Sequence, residues 1–205
     1  MSSLLVKPNG QQGTVIDVTP ENAGWSFVGF KLVKLRPGDI FKFQTEGREY
    51  CLVPVTGAFD ASTNDIQFKG VGGRQNLFAQ ELTEHLFVPE KTRVTITATS
   101  DLELGICSAP GGSGLPARRI GRSDQAQSTR GQGTNTRYIH DILPETQPAN
   151  SLLVVEVFTP AGNWSSYPPH KHCIDNIPEE SALEETYYHR INPPQGFAFQ
   201  RVYTD

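Results

Sequence analysis

Apolar and polar residues alternate with a period of two along much of the chain. In Asp39–Gln44, Phe41 and Phe43 alternate with Lys42 and Gln44, and in Arg93–Thr99, Val94, Ile96 and Ala98 alternate with threonines. Leu102, Leu104 and Ile106 continue the same rhythm. Successive side chains of an extended chain point to opposite faces, so this rhythm predicts strands with one buried face. Leu152–Phe158 is instead a nearly unbroken apolar run and predicts a strand buried on both faces. Pro37-Gly38-Asp39, Thr56-Gly57 and Gly111-Gly112-Ser113-Gly114 predict turns. No stretch carries a long amphipathic helical period. Many short strands separated by turn signals indicate an all-β protein of the barrel or jelly-roll type.

Composition narrows this picture. A chain of 205 residues suits one large β domain or two small ones. Hydrophobic residues are 37% and charged residues 20%, as in a globular protein rather than a disordered one. A net charge of −4 argues against a broad nucleic-acid surface, while local arginines remain able to bind a small anion. Cys51, Cys107 and Cys173 are widely separated and form no CxxC pair, which fits a reducing compartment better than a disulfide framework. Met1–Gly10 lacks an apolar leader core, and no run approaches the roughly 20 apolar residues of a membrane helix. The expectation is a cytoplasmic protein with no membrane partner.

The region from Pro110 to Asn150 is rich in Gly, Ser, Thr, Gln and Arg and reads as a linker or extended arm between two β units. Its arginines, Arg118, Arg119, Arg122, Arg130 and Arg137, either line a solvated connector or include one or two that pair with a substrate carboxylate.

The chemistry concentrates in His170-Lys171-His172 and Leu183-Glu184-Glu185-Thr186-Tyr187-Tyr188. Histidines at i and i+2 on a strand share a face and can meet at one ion. A carboxylate from the next strand adds a third ligand, and imidazole with carboxylate suits divalent Zn, Mn, Fe, Co or Ni. An isolated HxH pair is often only a surface or hydrogen-bonded core pair. Here Pro168-Pro169 precede it and a Glu-Tyr segment follows it. Alternation puts Glu185, Tyr187 and His189 on one face and Glu184, Thr186 and Tyr188 on the other, so either glutamate becomes the ligand depending on register.

Asn163-Trp164-Ser165-Ser166-Tyr167-Pro168-Pro169-His170-Lys171-His172 resembles the signature of the 5-deoxy-glucuronate isomerases of inositol catabolism. Leu183 to Arg190, Pro194 to Asp205, Arg130-Gly131 and Thr159-Pro160-Ala161-Gly162 extend the similarity over essentially the whole chain. The resemblance implies a bicupin, two jelly-roll β-barrels in one chain. Residues 1–112 would form a degenerate N-terminal barrel that binds no metal and serves packing or assembly. Residues 113–149 would form a linker or arm, and 150–205 the first part of a metal-binding second barrel. In cupin motifs the ligand glutamate stands two residues before an inward aromatic, which favours Glu185 over Glu184. Glu49 to Gly57 is similar to a cupin glutamate strand without a preceding HxH, and Leu86-Phe87-Val88-Pro89 is similar to a second cupin motif without its histidine. Two departures stand out. Cys173 replaces the family's usual acidic residue after the second histidine. The family also continues beyond the position of Asp205 with strands that carry a fourth ligand histidine, so the second barrel is expected to be incomplete, with three ligands of four.

The resemblance further implies an aldose–ketose isomerase that converts 5-deoxy-glucuronate to 5-dehydro-2-deoxy-gluconate through an enediolate. A metal on His170, His172 and Glu185 would act as a Lewis acid. Tyr187 and His189, on the proposed metal face, are the candidates for proton transfer, with packing the competing role for Tyr187. Arg201 is the candidate for the substrate carboxylate, and Arg190, on the other face, the weaker one. Trp164, Ser165 and Ser166 are placed at the pocket mouth, with plugging of the barrel end the competing role for Trp164, and Asn163 and Ser165 are candidates for bonds to sugar hydroxyls. A homo-oligomer is expected. The competing readings are a non-catalytic sugar-acid-binding cupin, a metal-dependent oxygenase and a shortened, inactive form.

Overall fold

A computed structural model describes residues 4–64, 66–112 and 114–203. Ser113 of the predicted glycine-rich turn, and Thr204 and Asp205 of the C-terminal motif, lie outside them. The alternating segments are strands, and the architecture is the expected all-β one. In chain order they are β1 (Gly13–Val18), a single helical turn α1 (Pro20–Ala23), β2 (Gly29–Leu35), β3 (Ile40–Gln44), β4 (Arg48–Thr63), β5 (Ile66–Arg74) and β6 (His85–Val88). There follow β7 (Arg93–Ala98), β8 (Leu102–Pro110), β9 (Arg118–Ile120), β10 (Ala126–Arg130), β11 (Arg137–Leu143) and β12 (Val154–Phe158). No helix among the described residues is long and apolar enough to cross a membrane.

The first nine strands form one curled antiparallel sheet of the cupin type. β1-β2-β8-β4-β6-β9 make one wall, and β3, β7 and β5 join through β4 to make the other. The residues that alternate in sequence close on each other between the walls. Leu52, Phe59, Val71, Leu86, Val94, Ile96, Leu102, Leu104 and Ile106 form the main core, with half-buried Phe41 and Phe43 packed on it. Complete burial of one such side chain is worth about 1.5–3 kcal/mol, so this cluster dominates the stability of the unit.

β4 is the hinge of the curl. Its first half pairs with β8 and β6, and its second half with β7 and β5. Thr56-Gly57, read from sequence as a turn, instead kinks this 16-residue strand without ending it. Gly57 has φ +84° and sits at a register shift, and a Cβ there would lie 2.1 Å from the Asp101 carbonyl oxygen. Only glycine permits both the backbone conformation and the close approach.

The segment 113–149 is not a structureless connector. β9 pairs with β6 at the edge of the first sheet, while β11 pairs with β10 on one side and β12 on the other in a separate three-stranded sheet. Every residue of β10 is exposed, which explains why its composition resembles a loop. β12 also departs from expectation. It starts at Val154, and its alternation of half-buried and exposed positions leaves Val155 and Val157 outward-facing. An apolar run alone does not distinguish a two-sided buried strand from a one-sided one.

Two kinds of contact join the sheets. Cys51, Phe87, Ala109 and Ile120 of the first pack with Ile142, Leu143 and Leu152 of the second. Glu49, buried in β4, accepts backbone N–H bonds from Asn150 (2.8 Å), Ser151 (2.7 Å) and Leu152 (2.9 Å). The carboxylate that resembles a cupin ligand is thus used to hold the entry to β12.

Candidate metal centre

Beyond Phe158 the described residues form turns, bends and an isolated bridge between Asn176 and Glu180 but no strand ladder, so the predicted strand carrying the histidines is a docked segment instead. Its path is fixed by local bonds. Trp164 N–H donates to the Thr134 carbonyl (2.8 Å), and Asn163 Nδ2 donates to the Thr136 carbonyl (2.9 Å). That amide group is therefore engaged with backbone. Trp164 is exposed, and its ring lies against that of Tyr167, 6.3 Å between centroids.

After His172 the chain reverses. Glu180 Oε1 accepts from the N–H groups of Cys173 (2.7 Å) and Ile174 (3.2 Å), and Asp175 Oδ1 accepts from Ala182 N–H (2.8 Å). Leu183 N–H donates to the His172 carbonyl (3.2 Å), which lays 183–185 beside 170–172. Donor atoms of His170, His172 and Glu185 consequently lie within 4.8 Å of one another. Among the described residues this is the group of three His, Cys, Asp or Glu side chains that converges in this way.

The donor set fits a divalent cation. The two imidazoles meet edge to face, centroids 5.1 Å apart. His172 Nδ1 lies 3.1 Å from the Ser181 carbonyl oxygen. A carbonyl only accepts, so Nδ1 is the donor of this bond and Nε2 is the nitrogen left for a metal. Nε2 in turn lies 3.9 Å from Glu185 Oε1. Two imidazole nitrogens and one carboxylate oxygen suit Zn, Mn, Fe, Co or Ni. Cys173 is exposed, bonds through its backbone N–H to Glu180, and is not a member of the cluster.

Alternation along 183–190 follows the expected division. Glu185, Tyr187 and His189 are exposed, whereas Glu184, Thr186 and Tyr188 are half-buried. Tyr187 Oη donates to Glu185 Oε2 at 2.9 Å. Partial burial and the neighbouring Glu185 carboxylate push the Tyr187 phenol up to about 12, so it retains its proton at neutral pH. The Tyr187 and His189 rings stack 6.1 Å apart, and His189 Nε2 reaches Gln200 Oε1 at 3.2 Å. Arg201 lies over the Tyr203 ring, 4.8 Å from its centroid.

Glu184 is committed elsewhere, to the backbone amides of residues 26–28. Arg190 and Tyr188 both bond Glu103 of β8. The arginines of the middle region are partly engaged as well. Arg118 covers the Phe87 ring and Arg119 pairs with Glu84.

The KduI/IolB family profile matches residues 4–205. A protein from Geobacillus kaustophilus named 5-deoxy-glucuronate isomerase is 48% identical over all of this chain and 75% of its own length. Its namesake in Bacillus subtilis is 44% identical over all of this chain and 78% of its own length. The crystal structure of an IolB-like protein from Salmonella typhimurium LT2 superimposes with a TM-score of 0.93 at 42% identity, covering 95% of this chain and 74% of that one. With a profile match over almost every residue, and with relatives this similar along its full length, the chain belongs to the KduI/IolB family.

Proposed function

We propose that this protein is a 5-deoxy-glucuronate isomerase, an intramolecular oxidoreductase that uses a divalent cation held by His170, His172 and Glu185. The observation that carries the metal centre is the convergence of those three donors within 4.8 Å, with the His172 tautomer set by Ser181. The activity follows from 44–49% identity to relatives of that name.

The reaction moves hydrogen between C2 and C1 of the open-chain sugar acid. A proton leaves C2, its electron pair forms the C1–C2 double bond of an enediolate and the C1 carbonyl oxygen takes a proton; the C2 hydroxyl then gives up its proton to become a ketone as a proton returns at C1. A cation bound at the site supplies Lewis-acid polarisation of the carbonyl and adjacent hydroxyl.

The remaining work falls to the chain's own groups. His189 stands on the ligand-bearing face as the proton carrier, its imidazole able both to accept and to donate a proton. Tyr187, protonated and donating to Glu185, steadies the ligand carboxylate and stacks on the His189 ring. Arg201 supplies a guanidinium for the substrate carboxylate.

Metal content and 5-deoxy-glucuronate turnover, measured on the same samples of wild type and of a His170→Ala/His172→Ala double variant, test the proposal. Near-stoichiometric metal and turnover, both lost in the variant, are expected. Metal without turnover would favour a sugar-acid-binding role, and a metal-free wild type would remove the centre.

A further inference from the structure

The segment that carries Glu185 is pinned to the first barrel by its opposite face. Glu184 accepts three consecutive backbone N–H bonds, from Ser26 (2.7 Å), Phe27 (2.8 Å) and Val28 (2.9 Å), in the loop that enters β2. One of these peptide groups is held from both ends. Arg48 donates to the Phe27 carbonyl oxygen, while the N–H of the same peptide unit, on Val28, points to Glu184 Oε2. Arg48 is itself fixed by Ser108, through the carbonyl at 3.1 Å and the hydroxyl at 3.2 Å.

A second anchor lies four residues on. Tyr188 Oη donates to Glu103 Oε1 at 2.8 Å, its ring stacks on Phe30 at 5.7 Å, and Arg190 bonds the same Glu103 oxygen. Lys34 Nζ sits 3.4 Å from the other oxygen. In an extended chain these anchors are about 13 Å apart, with Glu185 and Tyr187 between them on the other face. No ladder bonds along 184–190 among the described residues share this task. Rotation of the segment about its axis would therefore have to break one anchor or the other.

We infer that Glu184, with Tyr188 as its second anchor, is a positioning residue that aims the Glu185 carboxylate at His170 and His172, so that the first barrel sets the geometry of a metal centre to which it contributes no ligand. This rests on the reading of those three residues as a metal site. Charge-assisted bonds from three amides make the Glu184 grip strong and directional. A mere tether would affect stability alone. An aiming device affects how the cation is held.

Cobalt(II) titration of the chain, followed by its visible d–d absorption, separates the two. The proteins compared are wild type, Glu184→Gln, Tyr188→Phe and His170→Ala/His172→Ala. Glutamine keeps the shape of the side chain but turns an NH2 group towards N–H donors. Cobalt affinity is expected to fall about ten- to a hundredfold in Glu184→Gln, the usual cost of losing an outer-shell contact, with an altered band. A smaller fall is expected in Tyr188→Phe. Unchanged affinity and spectrum in folded Glu184→Gln, even with a lower melting temperature, would overturn the inference and leave Glu184 a tether. Should Glu184→Gln not fold, unchanged binding in Tyr188→Phe overturns it equally. A wild type that binds no more cobalt than the double-histidine variant overturns the metal site itself, and the inference with it.

Discussion

Arg74 at the end of β5 and Glu156 in β12 form a two-pronged ion pair, Nη1 to Oε2 at 2.8 Å and Nη2 to Oε1 at 2.6 Å, across the junction of the two sheets. The arginine side chain is 1% exposed and the glutamate 17%. His140 of β11 adds Nδ1 at 3.2 Å from the same carboxylate, and its Nε2 meets Gln127 at 3.0 Å. The pair therefore couples the first sheet to the sheet that leads into the candidate metal centre.

Removing one partner leaves a buried charge unpaired. Glu156→Gln is expected to lose about 3 kcal/mol or more of stability, measured from urea unfolding, because the cost of stranding Arg74 exceeds the net worth of the pair. An Arg74→Met/Glu156→Leu double variant should recover much of that loss. A single variant as stable as wild type would show that the pair is not desolvated in solution.

His85 provides a pH prediction. It is buried in β6, and burial, reinforced by the nearby Arg74 charge, holds its pKa down at about 3 against an ordinary 6.5. The folded state thus binds this proton less readily than the unfolded chain. Its contribution to stability is complete above pH 6.5 and is lost as pH falls towards 3, with a slope of up to about 1.4 kcal/mol per pH unit. Carboxylates titrate in the same range, so the test is a difference. The urea midpoint of His85→Gln should change less than that of wild type between pH 6.5 and 4.5. Parallel midpoints would assign the acid sensitivity to other groups.

Tyr187→Phe removes only the hydroxyl that bonds Glu185. Cation affinity is expected to drop about tenfold or more, as for other outer-shell contacts, with little change in melting temperature of the metal-free chain. Affinity equal to wild type, by equilibrium dialysis against zinc, would reduce Tyr187 to a packing residue.

Arg201→Lys keeps the charge and discards the planar fork. If Arg201 receives the substrate carboxylate, KM for 5-deoxy-glucuronate rises about tenfold while kcat changes little. Unaltered kinetics would take Arg201 out of the site.

Much of this architecture was legible in the sequence because its signals are local. The alternations at Asp39–Gln44 and Arg93–Thr99 correspond to β3 and β7, since burial of one face imposes a period of two. Alternation separates Glu184 from Glu185 but leaves the choice between them open, and the preference for Glu185 comes from the resemblance to cupin motifs; the segment that carries His170 and His172 is not the strand that their spacing suggested. What escaped depends on distance along the chain. Glu184 meets residues more than 150 positions away, Glu156 meets Arg74 82 positions away, and Glu49 meets Asn150 101 positions away. A carboxylate bound to backbone amides leaves no mark on the partner's sequence, because every residue but proline offers an N–H. β10 escaped for a different reason. With both faces exposed it has no apolar period to betray it.

The passage of β4 through both walls bears on how the molecule opens. A strand paired on both sides in each of its halves, at Tyr50–Leu52 with β8 and β6 and at Phe59–Thr63 with β7 and β5, cannot detach without dismantling both walls. Its amide hydrogens should therefore exchange with solvent only through the rarest, global fluctuation. The segment that holds the histidines lacks a ladder and should exchange through small, frequent ones. The protein thus joins a slow-exchanging frame to a fast-exchanging site, and binding of a cation should register as protection in the second without altering the first.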